Sequence, residues 1–204
     1  MPKPSGGFFR WRGKLGLAVL PPAFIIAGFS PAIFPEGSPA DLVLSALGWA
    51  AFVAGAILRF WATIYIGGYK GHRVVCQGPY SLCRHPLYVG AFLIVFSAAV
   101  MLGSVTALAA VLLTGLIYYF LVIPAEEEHM AEQLGEEYRL YCQSTPRVLL
   151  RIRKPVTPDY IEIKVRSLWL ELKRSAVWLL IPIGCEVMGT LRSSASWPHL
   201  FNLP

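Results

Sequence analysis

Charge is what this chain has least of. Asp, Glu, Lys and Arg make up 15% of its 204 residues against 55% hydrophobic, a balance that excludes an ordinary soluble domain and points to a bilayer. Cysteine is sparse too. Cys76, Cys83, Cys142 and Cys185 lack metal-type pair spacing, and no two histidines stand at helical pair spacing with cysteine partners, so neither a disulfide framework nor a metal site is expected. Internal repeats and low-complexity tracts are absent, and RKPVTPD at 153–159 is the one linker candidate.

Long apolar runs are what the chain does have. Residues 15–34 carry no charge and match the roughly 20 residues that cross a hydrocarbon core. They form span one, with Pro21 and Pro22 expected to kink it; the run is long for a signal peptide and reads as an uncleaved span. Span two is expected at 42–66. Spans three and four, 87–102 and 105–123, are separated only by Gly103 and Ser104 and should form a tight helical hairpin. A fifth segment at about 175–191 is shorter and contains Glu186; crossing, dipping in and lying at the interface all suit it. The chain is thus expected to be an all-α, polytopic membrane protein with about five transmembrane helices. Its 204 residues read as one integral membrane domain: two spans in 15–66, a catalytic and cofactor-binding region in 70–150, and an interfacial or transmembrane segment in 155–204.

Lysine and arginine accumulate on the cytoplasmic side of spans. Sixteen of the eighteen fall before span one, between spans two and three, or between spans four and five, while the loop between spans one and two has none. The amino terminus, the 67–86 loop and the 124–174 segment are therefore expected in the cytoplasm. Arg59 and Arg192 are left over. This rule and contact with anionic lipid account for the basic charge, so nucleic acid is not an expected partner.

Two polar clusters meet the same face: HRVVCQGPYSLCRHPLY at 72–88 and EEEHMAEQLGEEYRLY at 126–141. An antiparallel hairpin returns to the leaflet it left, which should bring Glu126 and Glu127 near Arg84 and His85. Pro86 suits the first turn of a helix and forces His85 into an extended shape. Backbone donors at that helix start, with Arg84 and His85, favour a carboxylate or phosphate. Glu126, Glu127 and Glu128 open a helix whose Met130, Leu134, Tyr138 and Tyr141 recur at helical spacing, so it reads as amphipathic. Three adjacent carboxylates repel one another unless a cation stands close: Arg84, His85 or a positively charged ligand. Among the other histidines, His129 and His199 read as solvated and His72 as ambiguous.

Taken together, GPYSLCRHPLYVG at 78–90, the hairpin, and EEEHMAEQLGEEYRLYCQSTPR at 126–147 resemble the isoprenylcysteine carboxyl methyltransferase family and its phospholipid methyltransferase relatives. The resemblance covers about 70–150. It implies S-adenosyl-L-methionine as methyl donor, bound at the cytoplasmic interface between loop and hairpin. By the same resemblance His72, Arg73, Val74 and Val75 form a strand-like stretch touching the cofactor, Tyr80, His85, Pro86, Leu87 and Tyr88 are further cofactor contacts, and Glu126 is the acidic contact. Prenylcysteine enzymes place an arginine about a turn before the acidic pair; this chain has Val122 there, leaving Arg59, Arg84 or Arg147 to substitute.

Methyl transfer from a sulfonium is an in-line displacement, so the protein mainly aligns donor and nucleophile and excludes water. A carboxylate acceptor needs no base, whereas an amine, phenol or thiol sheds a proton, for which Glu127 or Tyr88 is nearest. Arg84 and Glu127 are the candidate catalytic residues. The expected partners are membrane lipids and a lipophilic or lipidated acceptor entering from the membrane. Two rival readings are an NADPH-dependent reductase of the sterol-reductase type and a non-catalytic membrane subunit. The reductase requires several phosphate-binding cations around the loop, where only Lys70, Arg73 and Arg84 stand.

Overall fold

A peptide group in hydrocarbon finds no water to bond, so a long uncharged run folds as a helix that satisfies its own backbone. The computed structural model describes residues 7–67, 73–161 and 163–201, with no side chains for 7–15 and 17. Regular structure among the described residues is entirely helical. The first helix, α1 (Gly7–Gly28), contains Pro21 and Pro22 and stops short of the expected end at residue 34. Ser30 turns its hydroxyl back onto Ile26 O at 2.8 Å, and Pro31 offers no amide to continue the ladder. The next, α2 (Pro39–Ile66), starts where Ser38 Oγ accepts from Asp41 N at 3.3 Å, with Pro39 in the first turn.

Helices α3 (Pro86–Met101) and α4 (Val105–Ile117) form the expected hairpin. Its turn needs Gly103, whose φ of +53° lies in the left-handed region, and Ser104 Oγ then caps α4 through Ala107 N at 3.3 Å. A single π-helical turn, Tyr118–Val122, carries the chain without a loop into α5 (Ile123–Ser144), so the polar helix expected from Glu126 onward grows directly out of span four. It is not one regular helix, because it breaks at Gly135. Helices α6 (Val165–Trp178) and α7 (Leu180–Ser193) follow, parted only by Leu179.

Among the described residues, three helical stretches are long and apolar enough to cross a membrane: Pro39–Ile66, Val105–Ser144 and Val165–Ser193. Ala18–Gly28 and Pro86–Met101 are apolar but shorter. Sixteen residues at about 1.5 Å each reach only about 24 Å, less than the roughly 30 Å of a hydrocarbon core.

The largest helix interface joins α2 to α3. It is close because glycine faces glycine: a Cβ on Gly55 would lie 2.7 Å from Gly90 O, and one on Gly90 would lie 2.8 Å from Gly55 O. Small residues are what let helices approach in lipid, where apolar burial gives no drive. One turn beyond Gly55, Arg59 therefore reaches the first turn of α3 and donates Nη1 to Leu87 O at 3.1 Å. At the other end of α3, buried Arg192 donates to Ala27 O (3.2 Å) and Leu102 O (2.7 Å), carbonyls at the C-terminal ends of α1 and α3. The linker candidate 153–159 is fixed rather than free. Arg153 Nη2 donates to Ser81 O at 2.6 Å, Val156 N donates to Ser81 Oγ at 3.0 Å, and Gly78 N donates to Val156 O at 2.8 Å.

Candidate functional site

Gly78–Ser81 forms a short 3-10 turn, and Pro86 opens α3 with His85 just outside it at φ −124°, ψ 55°, which is non-helical but short of the extended shape expected for it. The strip after α5 lies alongside: Arg84 N donates to Pro146 O at 2.9 Å and His85 N to Arg147 O at 3.1 Å. Tyr141 OH donates to Tyr80 O at 2.7 Å, tying α5 to the turn from the other side. These contacts close the space between the start of the hairpin and its return.

Glu126 and Glu127 stand in that space, both buried. Tyr88 OH donates to Glu126 Oε2 at 2.6 Å. Glu127 Oε1 meets His85 Nε2 and Arg84 Nη1, each at 3.0 Å, while Oε2 takes Arg147 Nη2 at 2.8 Å and Nε at 3.1 Å. Arg147 also lies 5.5 Å from the centre of the Tyr119 ring, a cation–π contact with the π-helical turn. Burial pushes the Glu127 carboxyl up, but hydrogen bonds from His85 and Arg147 and the charge of Arg84 outweigh it, holding the group below its ordinary 4.5.

A cleft of about 310 Å³ opens over this network, within the range of small-molecule sites. Arg73, Val74, Val75, Tyr80, Arg84, His85, Leu87, Tyr88 and Glu126 all line it. Pro86 is buried and does not line it, and Glu127 is engaged by Arg84, His85 and Arg147; His72 lies outside the described residues. Residues 73–77 carry no strand. The Tyr80 hydroxyl and Arg84 Nε are buried with no hydrogen-bond partner among the described residues. A buried donor left unpaired costs roughly 1–3 kcal/mol, so these two atoms mark where a polar ligand would be stabilised.

Sequence reasoning offered Arg59 only as one of three stand-ins for the missing arginine and gave no place to Glu171, Arg174 or Trp178. Arg59 lines the cleft, and its Nε meets Glu171 Oε1 at 3.0 Å. The signal was present: an ionisable side chain inside an apolar span is a functional candidate by default. Its partner, 112 residues further on, carried no such mark.

Fold and site together define a helical membrane protein with a charged cleft where a two-helix hairpin begins and ends. The family model for phospholipid methyltransferases matches residues 42–137, and the chain belongs to that family, among the membrane methyltransferases. The chain is 32% identical over 161 residues to the nickel-cobalt-cadmium resistance protein NccN of Alcaligenes xylosoxydans xylosoxydans, spanning 79% of this chain and 75% of that protein. It is 36% identical over 115 residues to the cobalt-zinc-cadmium resistance protein CzcN of Cupriavidus metallidurans, spanning 56% of this chain and about half, 51%, of that protein. With protein-S-isoprenylcysteine O-methyltransferase B of Arabidopsis thaliana it shares 28% identity over 126 residues, 56% of this chain and 63% of that protein. No solved structure matches the chain.

Proposed function

We propose that the chain transfers a methyl group from S-adenosyl-L-methionine to a lipophilic acceptor at the cytoplasmic membrane surface, most like the carboxyl group of a prenylcysteine. One observation carries this reading: Arg84, the candidate catalytic cation, and His85, Tyr88 and Glu126, which the resemblance assigns to cofactor contact, line a single cleft. The bound donor supplies a methyl on a sulfonium, which forms a bond to the acceptor as the carbon–sulfur bond breaks and a neutral thioether leaves.

The side chains fit such a ligand. Glu126, oriented by Tyr88, offers a carboxylate to ammonium or sulfonium charge. Arg84 Nε and the Leu87 amide at the start of α3, just after Pro86 and beside His85, offer donors to a carboxylate. Arg73, Val74, Val75 and Tyr80 supply the remaining wall, with His72 assigned to it through the resemblance. Both oxygens of Glu127 are taken by cationic groups, which suits it to fixing Arg84 and His85 in place rather than to removing a proton. A carboxylate acceptor needs no base, so the arrangement favours that class. Arg147, stacked on Tyr119, brings a guanidinium to the region where Val122 replaces the arginine of prenylcysteine enzymes.

The distribution of lysine and arginine supports a cytoplasmic amino terminus and cleft. The metal-resistance names of two relatives state a resistance and no acceptor chemistry, and the reading draws on the family and the cleft alone. Glu126→Gln removes the acidic contact while keeping its shape. Calorimetry in detergent should show S-adenosylhomocysteine binding to this variant at least about tenfold more weakly than to the parent; undiminished affinity removes Glu126 from the donor site.

A further inference from the structure

The cleft has a second charged wall, built partly from residues beyond the family match. Arg59 is the one cation of α2. Its Nε meets Glu171 Oε1 at 3.0 Å and its guanidinium carbon lies 4.2 Å from the centre of the Trp178 ring, both partners coming from α6. Glu171 is 2% exposed and also faces Arg174 Nη1 at 3.6 Å. With Nε and Nη1 committed, Arg59 Nη2 has no hydrogen-bond partner among the described residues, and Arg59 and Arg174 line the same cleft as Glu126. Tyr80 is 5% exposed, its hydroxyl is unpartnered, and it lies close enough to Arg59 and Glu171 to feel their charges.

We propose that Arg59, positioned by Glu171 and Trp178 and joined by Arg174 and the Tyr80 hydroxyl, is an acceptor subsite for the oxyanion of an amphiphile, a carboxylate or a phosphate. This inference rests on the methyltransferase reading. The charge on the two walls argues for the division. A donor carrying ammonium and sulfonium is drawn to Glu126, whereas on the α6 side two guanidiniums share one carboxylate and one positive charge is left over for an anion. A buried ion pair adds little net stability after desolvation, so holding a guanidinium at the cleft is a better account of Glu171 than stabilising the fold. Exposed apolar side chains on α6, Trp169 and Leu172 among them, offer a surface along which a hydrocarbon tail can lie.

The test titrates purified protein, saturated with S-adenosylhomocysteine in nonionic detergent, with dodecanoate, dodecyl phosphate and dodecanol. At least one anion should bind about tenfold more tightly than the alcohol, and the preferred anion separates a carboxylate acceptor from a phosphate headgroup. The double variant Arg59→Met/Glu171→Met removes the pair without stranding a buried charge; it should lose that preference and keep its affinity for S-adenosylhomocysteine. Arg59→Lys should restore part of the preference, as a merely structural role would not require. Tyr80→Phe leaves the ion pair intact and should weaken anion binding several-fold. Equal binding of all three amphiphiles, or an unchanged preference in the double variant and in Tyr80→Phe, overturns the subsite alone. Failure of the parent protein to bind S-adenosylhomocysteine overturns the methyl-donor reading and this inference with it.

Discussion

Glu127 shows how one side chain organises the site. Its two oxygens collect Arg84, His85 and Arg147, three groups drawn from two segments that meet only because the hairpin returns. Removing the acid strands buried positive charge, which is why breaking such a network costs more than forming it yields. Glu127→Gln should therefore lower unfolding stability by roughly 3 kcal/mol in a denaturant titration in detergent. The pH dependence has a definite sign. Because the folded carboxyl titrates below its ordinary 4.5, the stability it confers is present above that value and is lost as pH falls through the folded one. Parent protein should thus lose melting temperature more steeply than Glu127→Gln as pH falls below the ordinary 4.5, and parallel curves would remove the carboxylate from the network. The neighbouring Cys83 thiol is pushed up to about 11 by burial, so it stays protonated and inert at neutral pH.

At the scale of elements, the α2–α3 crossing decides where Arg59 falls. Glycine is normally a liability inside a helix, and Gly→Ala gains up to about 1 kcal/mol on an isolated one. Here the sign reverses. The new methyl of Gly55→Ala would sit 2.7 Å from Gly90 O, and the variant should be destabilised by roughly 1–3 kcal/mol. Equal or higher stability in thermal unfolding would show that the helices are not in contact there. The hairpin was legible from the sequence because two uncharged runs flank Gly103 and Ser104, leaving the chain no option but to turn. The end of α1 was not, since hydropathy continues to residue 34 while Pro31 and the Ser30 back-bond end the helix sooner. The break at Gly135 was hidden for the same kind of reason: the apolar spacing from Met130 to Tyr141 carries straight across it.

For the whole molecule, the proposed orientation places the loop before α3 in the cytoplasm. Cys76 is exposed in that loop, whereas Cys83 and Cys185 are buried. In a Cys142→Ser background, a membrane-impermeant maleimide should label Cys76 in inside-out vesicles and not in right-side-out ones; the opposite pattern inverts the topology. The cleft was half legible. Motif and topology together brought Arg84, His85, Tyr88 and Glu126 to one place, because the hairpin makes distant sequence close. The wall from Arg59, Glu171 and Trp178 depends on how α6 returns over α2, a tertiary contact with no local pattern to announce it. The central claim is that this one cleft holds the methyl donor. The most direct test is thermal unfolding of the purified protein with S-adenosylhomocysteine and, separately, with NADPH. At a hundred times its dissociation constant, S-adenosylhomocysteine should stabilise the fold by about 2.7 kcal/mol while NADPH leaves the melting temperature unchanged. A rise with NADPH alone, or with neither ligand, would contradict the account.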